Sequence, residues 1–485
     1  MAYYNEEGAM LDKDIQSGIT TTEESVTLTF NKADFPAETK KVKVLVWKDF
    51  TTLVPLGEAK VAEETEKKIY MFVGDSITHS DEYRAHTEAF FMTRFPDKKA
   101  EFVNAGRSGG TANMALRRVE WDMAPNDASH AVIMFGMNDI NLKTNYKPGA
   151  NTTDAEKQAS IDTCLTNLET LAGMLEENGT DITFMTPSIY DERPEYVADT
   201  NYVGANAALT IVGNGMKAIA AAKGYSIIDT NTVMNEVNKN FWDTTGMEMN
   251  IKDRIHPSPA GTYVIAYNVI KGLFPNSEVV AETFIDAAAK TSSANNAAVE
   301  DVKFEGETIT YNYTPKALPW AATGNYLKVD GKYLDLTGDL NREIIKVAGL
   351  EEGTYKIAFD GVEIGSFTNK ELEAGVNIAI LEKNPGQIQS QEVYTTLNKK
   401  HLIQQKLRSV AKVEDVFRSK GIFGNARKIA EYIAASEAKG DDMTEYKTFD
   451  ADKALEAERR AEMETYTQQA RAKAIPTSHV VTISK

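Results

Sequence analysis

The sequence holds one cysteine, Cys164, so it can form no intramolecular disulfide, no cysteine-ligated zinc site and no CxxC redox pair. Long apolar runs are missing too. None approaches the roughly 18 residues that span a bilayer, and the opening Met-Ala-Tyr-Tyr-Asn-Glu-Glu-Gly has neither the basic nor the apolar region of a signal peptide. No membrane span is expected, and the compartment stays open between cytosol and export. Positive charge is short as well, with 53 Lys and Arg against 71 Asp and Glu, a net −18. The basic residues stand singly or in pairs such as Lys40-Lys41 and Arg117-Arg118, without the clustering that a polyanion needs, so nucleic acid is not an expected partner. Internal repeats and low-complexity tracts are absent. What is present is length: 485 residues suffice for roughly three domains.

The first 66 residues read as a small antiparallel β-module, with period-two alternation in Ser25–Phe30 and Lys41–Trp47. From 67 to 276, short apolar strands (Ile69–Val73, Ala100–Val103, His130–Phe135, Ile182–Met185 and Ser226–Ile228) alternate with longer helical stretches. That alternation predicts βαβ units and a parallel five-stranded sheet covered on both faces by helices. An Ala/Ser/Asn-rich stretch, 277–298, reads as a linker. A second β-module is expected over 299–388, with strands at Thr308–Tyr313, Tyr326–Val329, Tyr355–Phe359 and Val362–Ile364 and turn signals at Asp330-Gly331 and Asp360-Gly361. Residues 389–475 carry helical periodicity and dense charge, and 476–485 read as a closing strand. Cys164 is expected to be a buried helical residue outside the chemistry.

Two segments stand out chemically. Gly74-Asp75-Ser76-Ile77-Thr78 follows the first parallel strand, where open α/β sheets hold their ligands and a helix start offers amides to a developing anion. Asp253-Arg254-Ile255-His256-Pro257 puts a carboxylate three residues before one of only six histidines, on a proline-stiffened loop. A serine hydroxyl needs a base to take its proton, and an imidazole needs a carboxylate to fix its tautomer. Ser76, His256 and Asp253 could supply those three roles. Oxyanion donors could come from the Gly-rich loop Val103–Thr111 and from Asn138 in Gly136-Met137-Asn138-Asp139, both at strand ends. Gly106-Arg107-Ser108-Gly109-Gly110 formally matches a nucleophile elbow, but the acid of that motif normally sits on a separate strand end, so Ser76 is favoured over Ser108. His130 reads as structural, and His401 and His479 as surface residues of the outer modules.

Gly74-Asp75-Ser76, Gly109, Gly136-Met137-Asn138-Asp139 and Asp253-Arg254-Ile255-His256 stand in the order of the sequence blocks of the SGNH (GDSL) hydrolases, which the region 69–275 resembles. The resemblance implies a flavodoxin-like doubly wound parallel five-stranded α/β sheet, with N-terminal and C-terminal all-β modules and a C-terminal helical segment added to it. It implies Ser76 as nucleophile, His256 as base, Asp253 as its orienter, and the Ser76 amide, Gly109 and Asn138 as oxyanion hole, with Gly106 as fallback for Gly109. It implies no cofactor and no metal. A bacterial subgroup with His and Arg soon after the serine block looks similar, which makes His79 and Arg84 candidate substrate-binding residues, with Tyr190 a third. In that subgroup a Gly-x-Asn-hydrophobic-Ala signature, here Gly375–Ala379, lies in a C-terminal β-module that 299–382 and 476–485 would share. The N-terminal module resembles the Ig-like modules of large secreted bacterial carbohydrate-active proteins, as though excised from one.

The expected function is a serine esterase acting on a small-molecule or polysaccharide ester, with deacetylation of a poly- or oligosaccharide as the specific form and a secreted or cell-surface location. The alternatives are a lipase or thioesterase on longer acyl groups, or a catalytically idle glycan-binding array in which Tyr190, Tyr202, Trp242 and Tyr263 form a sugar platform.

Overall fold

The computed structural model describes residues 68–485 except 81, 194–200, 243–247 and 276–278, and before them four short strands at 2–4, 10–13, 41–44 and 60–63. The early strands, β1 (Ala2–Tyr4), β2 (Met10–Lys13), β3 (Lys41–Val44) and β4 (Lys60–Glu63), form an antiparallel sheet of order β2-β1-β3-β4. They make up a unit of their own, 1–67. The strand expected at Ser25–Phe30 and the rest of the Ig-like module lie outside the described residues.

In the second unit, β5 (Lys68–Gly74), β6 (Ala100–Gly106), β7 (His130–Met134), β8 (Asp181–Met185) and β9 (Ser226–Ile228) form a five-stranded sheet of order β6-β5-β7-β8-β9. All its pairings are parallel, as the sequence alternation predicts. Successive residues of a strand face opposite sides, and both sides of β5 are buried. Tyr70 and Phe72 join one core with residues of the helices Glu82–Arg94, Thr230–Trp242 and Pro259–Leu273, while Met71 and Val73 join another with the helices Asp154–Glu176 and Ala205–Lys223. The helix Asp154–Glu176 starts in a capping box between Thr153 and Glu156, and Cys164 is buried on it. No helix among the described residues is long and apolar enough to cross a membrane.

The stretch 277–298, read as a linker, is instead mostly sheet: β10 (Ala281–Asp286), β11 (Thr291–Asn295) and the start of β12 (Ala297–Glu305). β11 is exposed at every position, so an edge strand held by backbone pairing alone leaves no apolar alternation to read. With β13 (Thr308–Pro315), β14 (Glu343–Ala348), β15 (Thr354–Phe359), β16 (Val362–Thr368), β17 (Val376–Asn377) and β18 (His479–Ser484), these strands make two sheets. Their orders are β11-β10-β14-β17 and β12-β13-β18-β15-β16, and their inner faces share Ile285, Tyr311, Val347, Ile357 and Ile483. The last strand, β18, lies between β13 and β15. Asn377 of the Gly375–Ala379 signature holds this layer by accepting from the amides of Glu343 and Ala379.

Tyr326–Val329, expected as a strand, lies in the helix Gly324–Val329, capped by Thr323. Its Tyr326 and Val329, three apart on one helical face, are fully buried in the core that Tyr263 and Trp320 also enter. The helical segment begins four residues before its expected start, at Pro385, with Asn384 as N-cap, and runs unbroken to Ser419. Shorter helices and the helix Glu456–Lys473 follow.

Candidate active site

Gly74 at the end of β5 stands in register with Gly106 of β6 and Met134 of β7, so the segments that follow these three strands meet at one edge of the sheet. Ser76 opens the helix Ser76–Ser80, whose first amides have no partner within the helix. Asp75 accepts from the Ile77 amide at 3.0 Å, and burial pushes its carboxyl up to about 6.

His256 arrives from the loop before the helix Pro259–Leu273. Its Nε2 lies 2.8 Å from Ser76 Oγ and its Nδ1 2.5 Å from Asp253 Oδ2. The other Asp253 oxygen accepts from the amides of Ile255 and His256, each at 3.0 Å. Burial would raise the Asp253 carboxyl, but the His256 side chain and these two amides together hold it below the usual carboxylate range. Between them, Arg254 adopts a left-handed φ of 68°, a conformation that costs any residue with a Cβ energy. Its Nη1 donates to the carbonyls of Asp191 and Arg193, both at 2.8 Å, and the side chain is buried, so the strained turn is anchored beneath the sheet edge.

The opposite wall is the Gly-rich turn. Arg107 donates its amide to Gly74 O, Ser108 to His79 Nδ1 and Gly110 to Arg107 O, while the Gly106 amide is taken by Asn104 Oδ1 at 2.8 Å. Between Gly106 and Gly110, only the Gly109 amide has no partner among the described residues. Gly109 sits at φ 68°, where glycine is the residue of least strain. Asn138 Nδ2 donates to Gly110 O at 3.0 Å, joining the third wall to the second. Asp139 ties the same two loops from behind, accepting from the amides of Ala112 at 2.8 Å and Gly136 at 3.1 Å; burial pushes its carboxyl up to about 6. The Cys164 thiol lies against Asp139 and is itself pushed well up by burial.

The structure therefore brings Ser76, His256, Asp253, Gly109 and Asn138 to one place. Gly106, the fallback donor, has already spent its amide on Asn104. Its role is steric: a Cβ there would stand 2.3 Å from the His79 amide nitrogen. Gly106→Ala should push the Ser76–His79 turn off the sheet, lowering kcat/KM for a small ester at least about a hundredfold and stability by about 1–3 kcal/mol. Steady-state kinetics and a thermal melt would show both.

Other candidates fall elsewhere. Arg84 is fully buried, its guanidinium on Phe102 O, His401 and Gln404, so it is a packing residue and is not available to a substrate. Tyr190 is buried as well, its hydroxyl accepting from the Tyr202 amide. Tyr263 is inside the core, while Trp242 is 46% exposed. His79 keeps a half-buried place beside the Gly-rich turn. His401, expected on the surface, is buried against Glu88 and Arg84, since the long helix lays that face on the catalytic layer. Ser108 is held through its backbone, and no histidine or carboxylate accepts from its hydroxyl among the described residues. Sequence reasoning passed over Asp139 and Arg254 as supports, although both stand inside the quoted motifs. Among the described residues, no three His, Cys, Asp or Glu side chains are grouped to hold a metal ion.

Residues 72–263 match the model of the GDSL-like lipase/acylhydrolase family. In structure, the chain is similar to BT4096, a gut microbial diltiazem-metabolizing enzyme, with a TM-score of 0.79 and 25% identity over 87% of this chain and 98% of that one. It also matches Axe2, an acetylxylan esterase from Geobacillus stearothermophilus, with a TM-score of 0.36 and 23% identity over 43% and 94%. No curated protein matches the sequence. The stretch matched by the family model holds Ser76, Asn138, Asp253 and His256, and it takes in the five-stranded parallel sheet except the start of β5.

Proposed function

We propose that the protein is a cofactor-independent serine esterase that works through an acyl-enzyme on Ser76. The observation that carries this reading is the unbroken contact chain from Asp253 through His256 to Ser76 Oγ. His256 Nε2 takes the Ser76 proton as Oγ attacks the ester carbonyl, and Asp253 keeps the Nδ1 proton in place. The carbonyl oxygen becomes an anion facing the Ser76 amide, the Gly109 amide and Asn138 Nδ2. The tetrahedral adduct collapses as the His256 proton passes to the leaving alcohol. Water then repeats the sequence on the acyl-enzyme, giving the carboxylic acid and free Ser76.

For substrate we propose acetyl groups on a poly- or oligosaccharide met outside the cell. The His256 and Asp253 side chains are each 36% exposed, and the loops that wall the site carry the polar His79, Ser108 and Asn138. An open, polar rim suits a short acyl group on a large hydrated alcohol and offers little to a long chain. Acetate release from p-nitrophenyl acetate and from acetylated xylan or mannan oligosaccharides tests this. kcat/KM should fall at least about tenfold from acetyl to octanoyl esters, because a rim this open buries little of a longer chain. A rise with chain length would favour a lipase, and no turnover of any ester would favour a binding protein.

A further inference from the structure

The helix Pro385–Ser419 reaches the wall of the active site from more than 300 residues away in sequence, with Arg107 and Asp415 308 positions apart. Asp415 is fully buried. It accepts from Arg107 Nε at 2.7 Å, and from Arg117 Nε and Nη2 at 2.9 and 2.8 Å, so one carboxylate grips the Gly-rich turn at its first residue and again just beyond the helix Ala112–Leu116. Two helical turns earlier, on the same face, Arg408 donates its Nε to Gly106 O at 2.9 Å. Its two terminal nitrogens fork onto Asp122 at 2.7 Å each. Arg118 bridges Asp122 to Ala105 O and closes the ring. Every one of these contacts falls on the segment 105–122, whose turn carries the Gly109 amide.

We propose that Asp415 and Arg408 are positioning residues of the Ser76 site, holding from the C-terminal helix the turn that presents Gly109 to the developing oxyanion. The proposal rests on the esterase reading above. An apolar face would glue the helix down at least as well, because buried ion pairs add little net stability over packed hydrophobes. What a carboxylate shared by two guanidiniums adds is direction: bidentate charged bonds fix the angle of the backbone they hold. An oxyanion donor misplaced by a fraction of an ångström loses its effect in the transition state while ground-state binding is kept. The expected signature is therefore a loss in kcat with little change in KM.

The test uses the full chain and a p-nitrophenyl phosphonate that labels Ser76 stoichiometrically, so that turnover is counted per intact site and partial unfolding drops out. Asp415→Asn should lower kcat per titrated site 10- to 100-fold with KM within threefold, and Asp415→Glu should recover part of it. Lys412→Ala, also on the long helix, removes a half-exposed pair with Glu445 of the helix Thr444–Lys447 and should change neither. If Asp415→Asn yields too little folded protein, Arg408→Lys keeps the charge but loses the fork, and should lower kcat about tenfold. Unchanged kcat per site with a lowered melting temperature would make the clamp a matter of stability alone and overturn the proposal. Full turnover by Ser76→Ala would instead remove the esterase reading on which the proposal stands.

Discussion

Replacing Ser76 with alanine is expected to lower kcat/KM for p-nitrophenyl acetate roughly ten-thousand-fold or more, the scale on which losing a serine nucleophile acts in such a site. The hydroxyl is the atom that His256 Nε2 meets, and alanine leaves the base with no proton to take. Ser76 is only partly buried and its helix is capped by Asp75, so removing one oxygen should leave the melting temperature within a few degrees. Ser108→Ala is the contrasting variant. Its contacts run through backbone atoms, so activity should stay within about fivefold. The opposite pattern, loss in the Ser108 variant and retention in the Ser76 variant, would move the nucleophile to the Gly-rich turn.

The second large effect is expected from Asp253→Asn, a fall in kcat of about a thousandfold to ten-thousand-fold with the fold intact. Local geometry dictates the sign. One carboxylate oxygen is pinned by two amide donors, Ile255 and His256, so the asparagine oxygen must stay there. Its NH2 group is then turned toward His256 Nδ1, where the carboxylate had accepted. Imidazole answers by carrying its proton on Nε2, and a protonated Nε2 cannot relieve Ser76 of its own. The His256 side chain and the two amides hold the wild-type carboxyl below its usual range, so it is ionised throughout the neutral range in which the two forms are compared. Equal kcat for the two forms would sink the orienting role.

The parallel sheet and the placing of Ser76, Asn138, Asp253 and His256 were legible because each rests on local information: an apolar run of strand length, followed by polar residues at its carboxyl end. A residue three positions from another on a stiff loop is also local. Arg84 and Tyr190 misled for the converse reason. A polar side chain near a reactive serine suggests a substrate, and nothing nearby in sequence tells that the long helix brings His401 and Gln404 to cover Arg84. Helical periodicity marked the segment 389–475 as helix, and it named the face carrying residues 401, 408 and 415 no more than any other. Which surface that face meets depends on contacts some 300 residues apart. β11 stayed hidden because an exposed edge strand has no pattern, and the helix Gly324–Val329 because tyrosine and valine prefer strands until a core three residues deep on one side claims them.

The position of β18 between β13 and β15 sets an order of events during synthesis. Both neighbours leave the ribosome before the helical segment, and β18 leaves after it. Until then two strand edges, each rich in isoleucine and tyrosine, stand side by side without the ladder that joins them. By the time β18 is released, the long helix that carries Arg408 and Asp415 is already made. Proteolysis just ahead of His479 would reopen the gap in a finished molecule. The sheet would lose its middle, and the two exposed edges would be offered to any other chain with a strand to donate.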